Sequence, residues 1–305
     1  MKNILIITSS YDMTIDYFID KFRNKANFFR FNTDQIYNYK IQITEDTGWI
    51  IVCNQWNLKQ NDTEAIYFRK PSFPDISEYE YKYHNMIRKD ILTFIQGIAE
   101  SFKGKCLTRP SILYKAENKI YQLSIAKEIG FQIPRSLITN SSNAAFDFCN
   151  STQCIIKPLS VGKIYTDNKV SIIQTNLVDN SFEFNGLEAS PSYFQEFVSK
   201  DYEVRVTIID NKVFAVKIES SEKVDWRKHG SSNSYSKMYL PDDLQLKCLS
   251  ILKKLNLDFG AFDFIVNKGN YYFLEVNPNG QWYWLEESLD LSISDNIFNY
   301  LVEDK

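Results

Sequence analysis

Histidine is almost missing from these 305 residues, with only His84 and His229 present. The five cysteines, Cys53, Cys106, Cys149, Cys154 and Cys248, are scattered and odd in number. They form no local zinc pattern with the two imidazoles, so free buried thiols are expected. No segment approaches the roughly 20 consecutive apolar residues that a membrane-spanning helix needs. The opening MKNILIITSS also lacks the apolar core and cleavage site of a secretory signal. Cytoplasmic location, with no membrane partner, is the expectation. A large excess of either charge is lacking too: 35 basic and 38 acidic residues leave a formal charge of -3. A general polyanion-binding surface is not indicated, and no nucleic-acid partner is expected. The segment LSVGKIYTD is not a Walker A loop, because the glycine spacing and the GK[ST] ending are absent.

Apolar and aromatic residues, by contrast, are plentiful. The chain is 44% hydrophobic and 24% charged, which suits a folded protein, and it carries 19 Tyr and 22 Phe. Most of these aromatics should be packing residues, with some available to line a groove for an extended peptide. Such a length exceeds what one core usually serves, so two or three packed units are expected. Strand patterns at Ile4 to Thr8, Asn27 to Phe31 and Ala65 to Arg69, with a hairpin pattern over Ile41 to Cys53, predict an α/β unit over residues 1–110. A long helical pattern from Tyr81 to Phe102 ends before Pro110, which marks the boundary. A central unit over 111–188 holds a helix from Asn118 to Ile129 and the strand CIIKPL. The remaining unit, 189–305, alternates short strands with one helix near Leu244 to Leu255 and closes on the strand pair Ala261 to Val266 and Tyr271 to Val276.

The last pair carries the strongest local signal, GAFDFIVNKGNYYFLEVNPNG. Its turn places Asp263 and Glu275 on adjacent strands, and Glu275 and Asn277 share a side-chain phase. Hard oxygen donors in one cavity suit magnesium, which joins them to nucleotide phosphates. Capping of turns at the sheet end is the alternative use of these residues.

In order along the chain, AENKIYQLSIAKEIGFQIP, CIIKP, YFQEFV and FDFIV...YYFLEVNPNGQW resemble the ATP-grasp superfamily, in particular its RimK-like branch and the MvdD-like peptide maturases that build graspetides. The resemblance covers most of the chain. It implies an α/β ATP-grasp fold with an N-terminal α/β domain ahead of the two grasping lobes. ATP and magnesium are the implied cofactors, with two metal ions and manganese as a substitute. Lys119 and Lys157 then contact phosphate, while Asp263, Glu275 and Asn277 hold metal. Gln195 and Glu196 precede the segment Phe197 and Val198, whose backbone resembles the adenine-contacting hinge, and Glu203 accepts from ribose. Arg205 shares strand phase with Glu203 and lies near the transferring phosphate, although a structural ion pair between them is the alternative.

Substrate choice rests on two further segments. EVNPNGQWYWLEES resembles the terminal segment of the MvdD-like branch, where Asn279 shapes the metal loop and Gln281 and Trp282 build a substrate wall. Trp282 equally suits a core position. KIESSEKVDWRKHGSSNSY resembles the mobile substrate-facing region, which implies catalytic roles for Arg227 on a substrate carboxylate or phosphate and for Asp225 in orienting Arg227 or a peptide donor, with Lys217 and His229 as further pocket candidates. Arg69 and Lys70 in YFRKPSFP are candidates for positioning an acidic leader peptide, with ordinary surface solvation as the alternative. The implied reaction activates an Asp or Glu side chain of a ribosomal precursor peptide as an acyl-phosphate and closes an ester or amide crosslink. A RimK-like ligase that adds a free amino acid, and a noncatalytic peptide-binding regulator, are the competing readings. Aromatic surfaces permit a homodimer.

Overall fold

Ile4 to Ile7 are all fully buried, as a central parallel strand covered on both faces requires. The strand is β1 (Asn3–Thr8), and α1 (Met13–Phe22) returns the chain to its neighbour β2 (Asn27–Asn32). A meander of β3 (Lys40–Thr44), β4 (Gly48–Val52) and β5 (Asn57–Lys59) precedes β6 (Ala65–Phe68), and the long α2 (Tyr81–Ser101) leads to β7 (Lys105–Leu107). The parallel sheet runs β2-β1-β6-β7. This computed structural model describes residues 1–160, 162–166, 169–179, 182–227 and 230–303, and for 163–166 and 169–172 the backbone alone.

Two helices follow, α3 (Pro110–Ala116) and α4 (Lys119–Ile129). Asn118 caps α4 by accepting from the Tyr121 amide at 3.0 Å, and Gly130, at φ 87°, ends it in the left-handed region. Beyond lie β8 (Ser136–Thr139), α5 (Ser142–Ser151), β9 (Cys154–Lys157), the hairpin β10 (Lys163–Thr166) and β11 (Lys169–Ile172), β12 (Asn176–Val178) and β13 (Ser192–Glu196). The antiparallel sheet β12-β9-β13-β8 has its own small core, including Ala145, Cys154, Leu187 and Phe194. Cys149 and Cys154 form a disulfide across a Cα separation of 5.5 Å. That corrects the expectation of free thiols: the end of α5 and the start of β9 bring two apparently scattered cysteines together.

The third sheet contains β14 (Tyr202–Ile209), β15 (Lys212–Ser220) and β16 (Asn233–Met238). After α6 (Asp242–Leu255) it is completed by β17 (Phe259–Asn267) and β18 (Asn270–Asn277) in the antiparallel order β16-β15-β14-β17-β18. Its Val204, Val206, Phe262 and Phe264 face α4 and α6. The other face joins Ile209, Val216, Ile218 and Ala261 to α1, β1 and β6. Two closing helices, α7 (Tyr283–Leu289) and α8 (Ile293–Val302), belong to that second core, with Phe22 and Phe298 stacked at 4.4 Å. The sequence reading did not anticipate α3, the β10–β11 hairpin, β16, α7 or α8.

Candidate active site

The β17–β18 hairpin turns through Lys268 and Gly269, both at positive φ, as a type I′ turn demands. Beyond the turn the register shifts: Phe264 pairs with Phe273, whereas Asp263 pairs with Glu275, so Leu274 is an inserted residue. This bulge puts Phe273 in the α4–α6 core while Glu275 and Asn277 share the opposite face with Asp263. Asn277 Nδ2 donates to Asp263 Oδ2 at 3.0 Å and to Glu275 Oε1 at 3.3 Å. Two carboxylates and one amide thus converge. Among the described residues no trio of His, Cys, Asp and Glu forms a metal-sized group. Asp263, Glu275 and the Asn277 amide carry hard oxygen donors, a chemistry that suits magnesium.

Cations surround these acids. Arg205 Nη1 lies 2.8 Å from both oxygens of Asp263. Lys119, at the start of α4, donates to Glu275. Burial works to raise the Glu275 carboxyl, but Lys119 and then Lys157 hold it well below the usual carboxylate range. Lys157, at the end of β9, donates to Gln195 Oε1 at 3.0 Å and lies 4.4 Å from the centre of the Tyr193 ring. Burial pushes its ammonium down to about 8, against the pull of Glu275. A largely desolvated ammonium of this kind is a candidate partner for an entering anion such as phosphate.

Backbone hydrogen bonds fix the segment expected to act as the hinge. Glu196 donates its amide to the Arg135 carbonyl at 2.8 Å, and Phe197 to the Gln153 carbonyl at 2.8 Å, while Phe197 and Val198 remain half-buried. Nearby, Lys200 Nζ stands 3.0 Å from Glu203 Oε2, and both side chains are almost enclosed. Burial pushes the Glu203 carboxyl up to about 7 in spite of Lys200. On the loop after β15, Asp225 is buried and accepts from Arg227 at Nε (2.9 Å) and Nη2 (3.0 Å). Burial alone would raise Asp225, but these bonds and the Arg227 charge keep it below the ordinary range.

Residues 116–301 match the RimK-like ATP-grasp domain, well over half of the chain. The chain belongs to the RimK-like ATP-grasp family. It is an ATP-grasp ligase by fold and by sequence. Among curated proteins it is 26% identical over 188 residues to the alpha-aminoadipate–LysW ligase LysX of Sulfurisphaera tokodaii, a match spanning 57% of this chain and 65% of that one. Solved structures match over nearly their whole lengths. A Chryseobacterium gregarium RiPP-associated ATP-grasp ligase, in complex with ADP and a leader and core peptide, superposes with a TM-score of 0.87 at 28% identity, covering 99% of this chain and 96% of that one. The macrocyclase MdnC of Microcystis aeruginosa, bound with precursor peptide MdnA, gives 0.87 at 26% identity over 99% and 100%.

In this RimK-like ligase several expected site residues lie elsewhere. Trp282 is fully buried among Phe18, Tyr17 and Tyr67, so its assignment to a substrate wall is corrected to a core position. Arg69 is likewise enclosed, which corrects its assignment to a leader peptide, while the adjacent Lys70 is half-buried. Asn279 gives its amide to Arg69, whereas Gln281 keeps exposed surface although its Oε1 accepts from Arg69. Lys217 pairs across the ladder with Val204, hence on the face opposite Arg205 and Asp263, and it binds Glu219 at 2.7 Å. Its pocket assignment is corrected by that strand phase. Gln195 is 1% exposed, shares a sheet face with Lys157, and spends its amide on Lys157, Ser136 and Tyr193, so it holds the lysine in place. His229 lies outside the described residues.

Sequence reasoning missed Gln122. On α4, one turn after Lys119, its Nε2 donates to the carbonyls of Ala116 (2.7 Å) and Val276 (2.8 Å), and its Oε1 accepts from the Val276 amide at 3.0 Å. A side-chain amide thereby closes the open edge of β18 between Glu275 and Asn277. The only signal was the helical spacing of Lys119 and Gln122, which does not identify a β-strand partner.

Proposed function

We propose that this protein is an ATP- and magnesium-dependent peptide ligase that activates Asp or Glu side chains of a ribosomal precursor peptide and joins them to Thr or Ser hydroxyls or Lys amines of the same peptide. The carrying observation is the convergence of Lys119, Lys157 and Arg205 on Asp263, Glu275 and Asn277. The near-complete coverage of two peptide-bound neighbours supports the choice of a peptide. In this reading residues 1–110 form the N-terminal domain, 111–188 the central lobe and 189–305 the lobe with the metal site.

Asp263, Glu275 and Asn277 are the residues that would hold magnesium, with two ions as the proposed stoichiometry and manganese as a substitute. Bound there, the metal supplies neutralising charge for the nucleotide phosphates. Lys119 and Lys157 steady phosphate oxygens, and the Phe197–Val198 backbone meets the adenine. A peptide carboxylate oxygen attacks the terminal phosphorus of ATP, the bond to the bridging oxygen breaks, and ADP leaves. Arg205 steadies the transferring phosphoryl group, and Arg227, locked by Asp225, steadies the carboxylate. The hydroxyl or amine then attacks the activated carbonyl, gives up its proton and expels phosphate. The peptide has lost one water equivalent. Holding both side chains in one groove makes this closure effectively unimolecular. A leader region, a homodimer and a cytoplasmic setting complete the proposal; among the described residues no helix is long and apolar enough to cross a membrane.

Intact and tandem mass spectrometry of the precursor peptide incubated with enzyme, ATP and magnesium tests the reading. Loss of one water mass per linkage, located between acidic and Thr, Ser or Lys side chains, is expected. Addition of an amino-acid mass would move the assignment to an extending RimK-like ligase, and an unchanged peptide despite binding would leave only the regulator.

A further inference from the structure

The N-terminal unit reaches the cleft through one arginine, which is sealed into the loop after β18. Arg69 directly follows β6, and its side chain is 0% exposed. Nη1 donates to Asn279 Oδ1 at 2.9 Å and to the carbonyls of Asn279 and Gly280 at 3.4 Å each, and Nη2 donates to Gln281 Oε1 at 2.6 Å. Asn279 Nδ2 donates in return to the Arg69 carbonyl. Asp12 Oδ2 stands 3.6 Å from Arg69 Nε, a distance for charge pairing and not for a hydrogen bond, and it accepts from Thr8 Oγ1 at 2.8 Å. Thr14 on α1 adds a second tie, donating to Gln281 Oε1 at 3.0 Å.

The same loop touches the reacting end of the site. The Gln281 carbonyl accepts from Arg205 Nη2 at 3.3 Å. Gly280 leaves no room for adjustment: a Cβ there would meet Ala261 Cβ at 2.5 Å and Arg205 Nη2 at 2.8 Å. Residues 280–281 therefore form one wall of the slot in which the Arg205 guanidinium lies against Asp263.

We infer that Arg69 is a positioning residue, which fixes loop 279–281 to the N-terminal unit and through it sets the place of Arg205 in the cleft. A planar guanidinium can serve three consecutive residues at once, and a lysine ammonium cannot reproduce that fork. Burying this charge is tolerable because Asp12 and the loop carbonyls together supply its counterparts. The inference rests on the ligase reading only for its effect on rate; the linkage itself belongs to the resting protein.

The test uses the full chain as Arg69→Lys, Arg69→Met and Asn279→Ala. Hydrogen–deuterium exchange of the resting protein should rise about tenfold or more in peptides spanning 279–283 and 203–207, while β1 and α1 stay at wild-type protection. With ATP and precursor peptide, kcat should fall about a hundredfold, as a displacement of roughly 1 Å produces, with the KM for ATP within about threefold. Wild-type exchange and kcat in folded Arg69→Lys and Asn279→Ala would overturn the inference. So would a rise in peptide KM alone, which would return Arg69 to a peptide contact. Should Arg69→Met not fold, Asn279→Ala decides, since it spares the Arg69–Asp12 pair. A wild-type enzyme that turns over no peptide would sink the ligase reading, and the exchange measurement would still decide the linkage.

Discussion

At the end of β9, Lys157 is buried beside Gln195 and Tyr193, surroundings that bring its titration close to neutral pH. Its ammonium is pushed down to about 8, below the ordinary lysine value, so it is charged below that pH and neutral above it. A charge that binds phosphate is therefore present at neutral pH and lost on the alkaline side. ATP affinity of the wild type should weaken as pH rises through about 8, and Lys157→Met should bind about tenfold to a hundredfold more weakly at pH 7 with that limb gone. Nucleotide titrations between pH 6.5 and 9.5 check this, and a limb that persists in Lys157→Met would show that another group titrates. The motif CIIKP made Lys157 a phosphate candidate by resemblance. Gln195, a neighbour in space and not in sequence, is what orients it.

β18 succeeds as a site strand because of two local devices. The bulge at Leu274 turns Glu275 and Asn277 away from the core that takes Phe273, and Gln122 closes the strand's free edge at Val276. Gln122→Met leaves the Val276 N–H and C=O buried without partners, each worth about 1–3 kcal/mol. Its unfolding midpoint should drop by several degrees, and kcat should fall about tenfold as α4 and Lys119 shift over Glu275. Thermal melts with parallel steady-state assays measure both. A variant as stable and as active as wild type would mean that Gln122 is incidental. The hairpin and its turn were legible from local pattern, since Gly269 and the flanking apolar runs are sequential signals. The bulge was not, because two-against-one pairing is a relation between strands.

At the scale of the whole molecule, the C-terminal helices tie the first unit to the last sheet. Trp282, Leu285, Ile297 and Phe298 share a core with Ile4, Ile6, Phe18 and Tyr67. Lys21 on α1 binds Glu286 at 3.0 Å, Ser294 at 2.8 Å and Asp295 at 2.7 Å. The N-terminal unit and the catalytic lobe should therefore melt together. Trp282→Ala should remove about 3–5 kcal/mol of stability and leave the peptide KM of the folded fraction unchanged. Calorimetry and peptide titration separate these effects, and a raised KM at unchanged stability would restore Trp282 to a substrate wall.

The sequence by itself determined the α/β class, the order of the main elements and the acids of the β17–β18 hairpin. Each of these is written in neighbours along the chain: hydrophobic period, turn chemistry and the phase of alternate residues. Only tertiary structure decided that Lys217 faces away from the cleft, that Arg69 and Trp282 are interior, that Cys149 meets Cys154, and that Gln122 completes a strand. A charged or aromatic side chain reads the same in sequence whether it is solvated or enclosed. What separates the cases is which distant residues supply its partners, and those partners exist only once the sheets have packed.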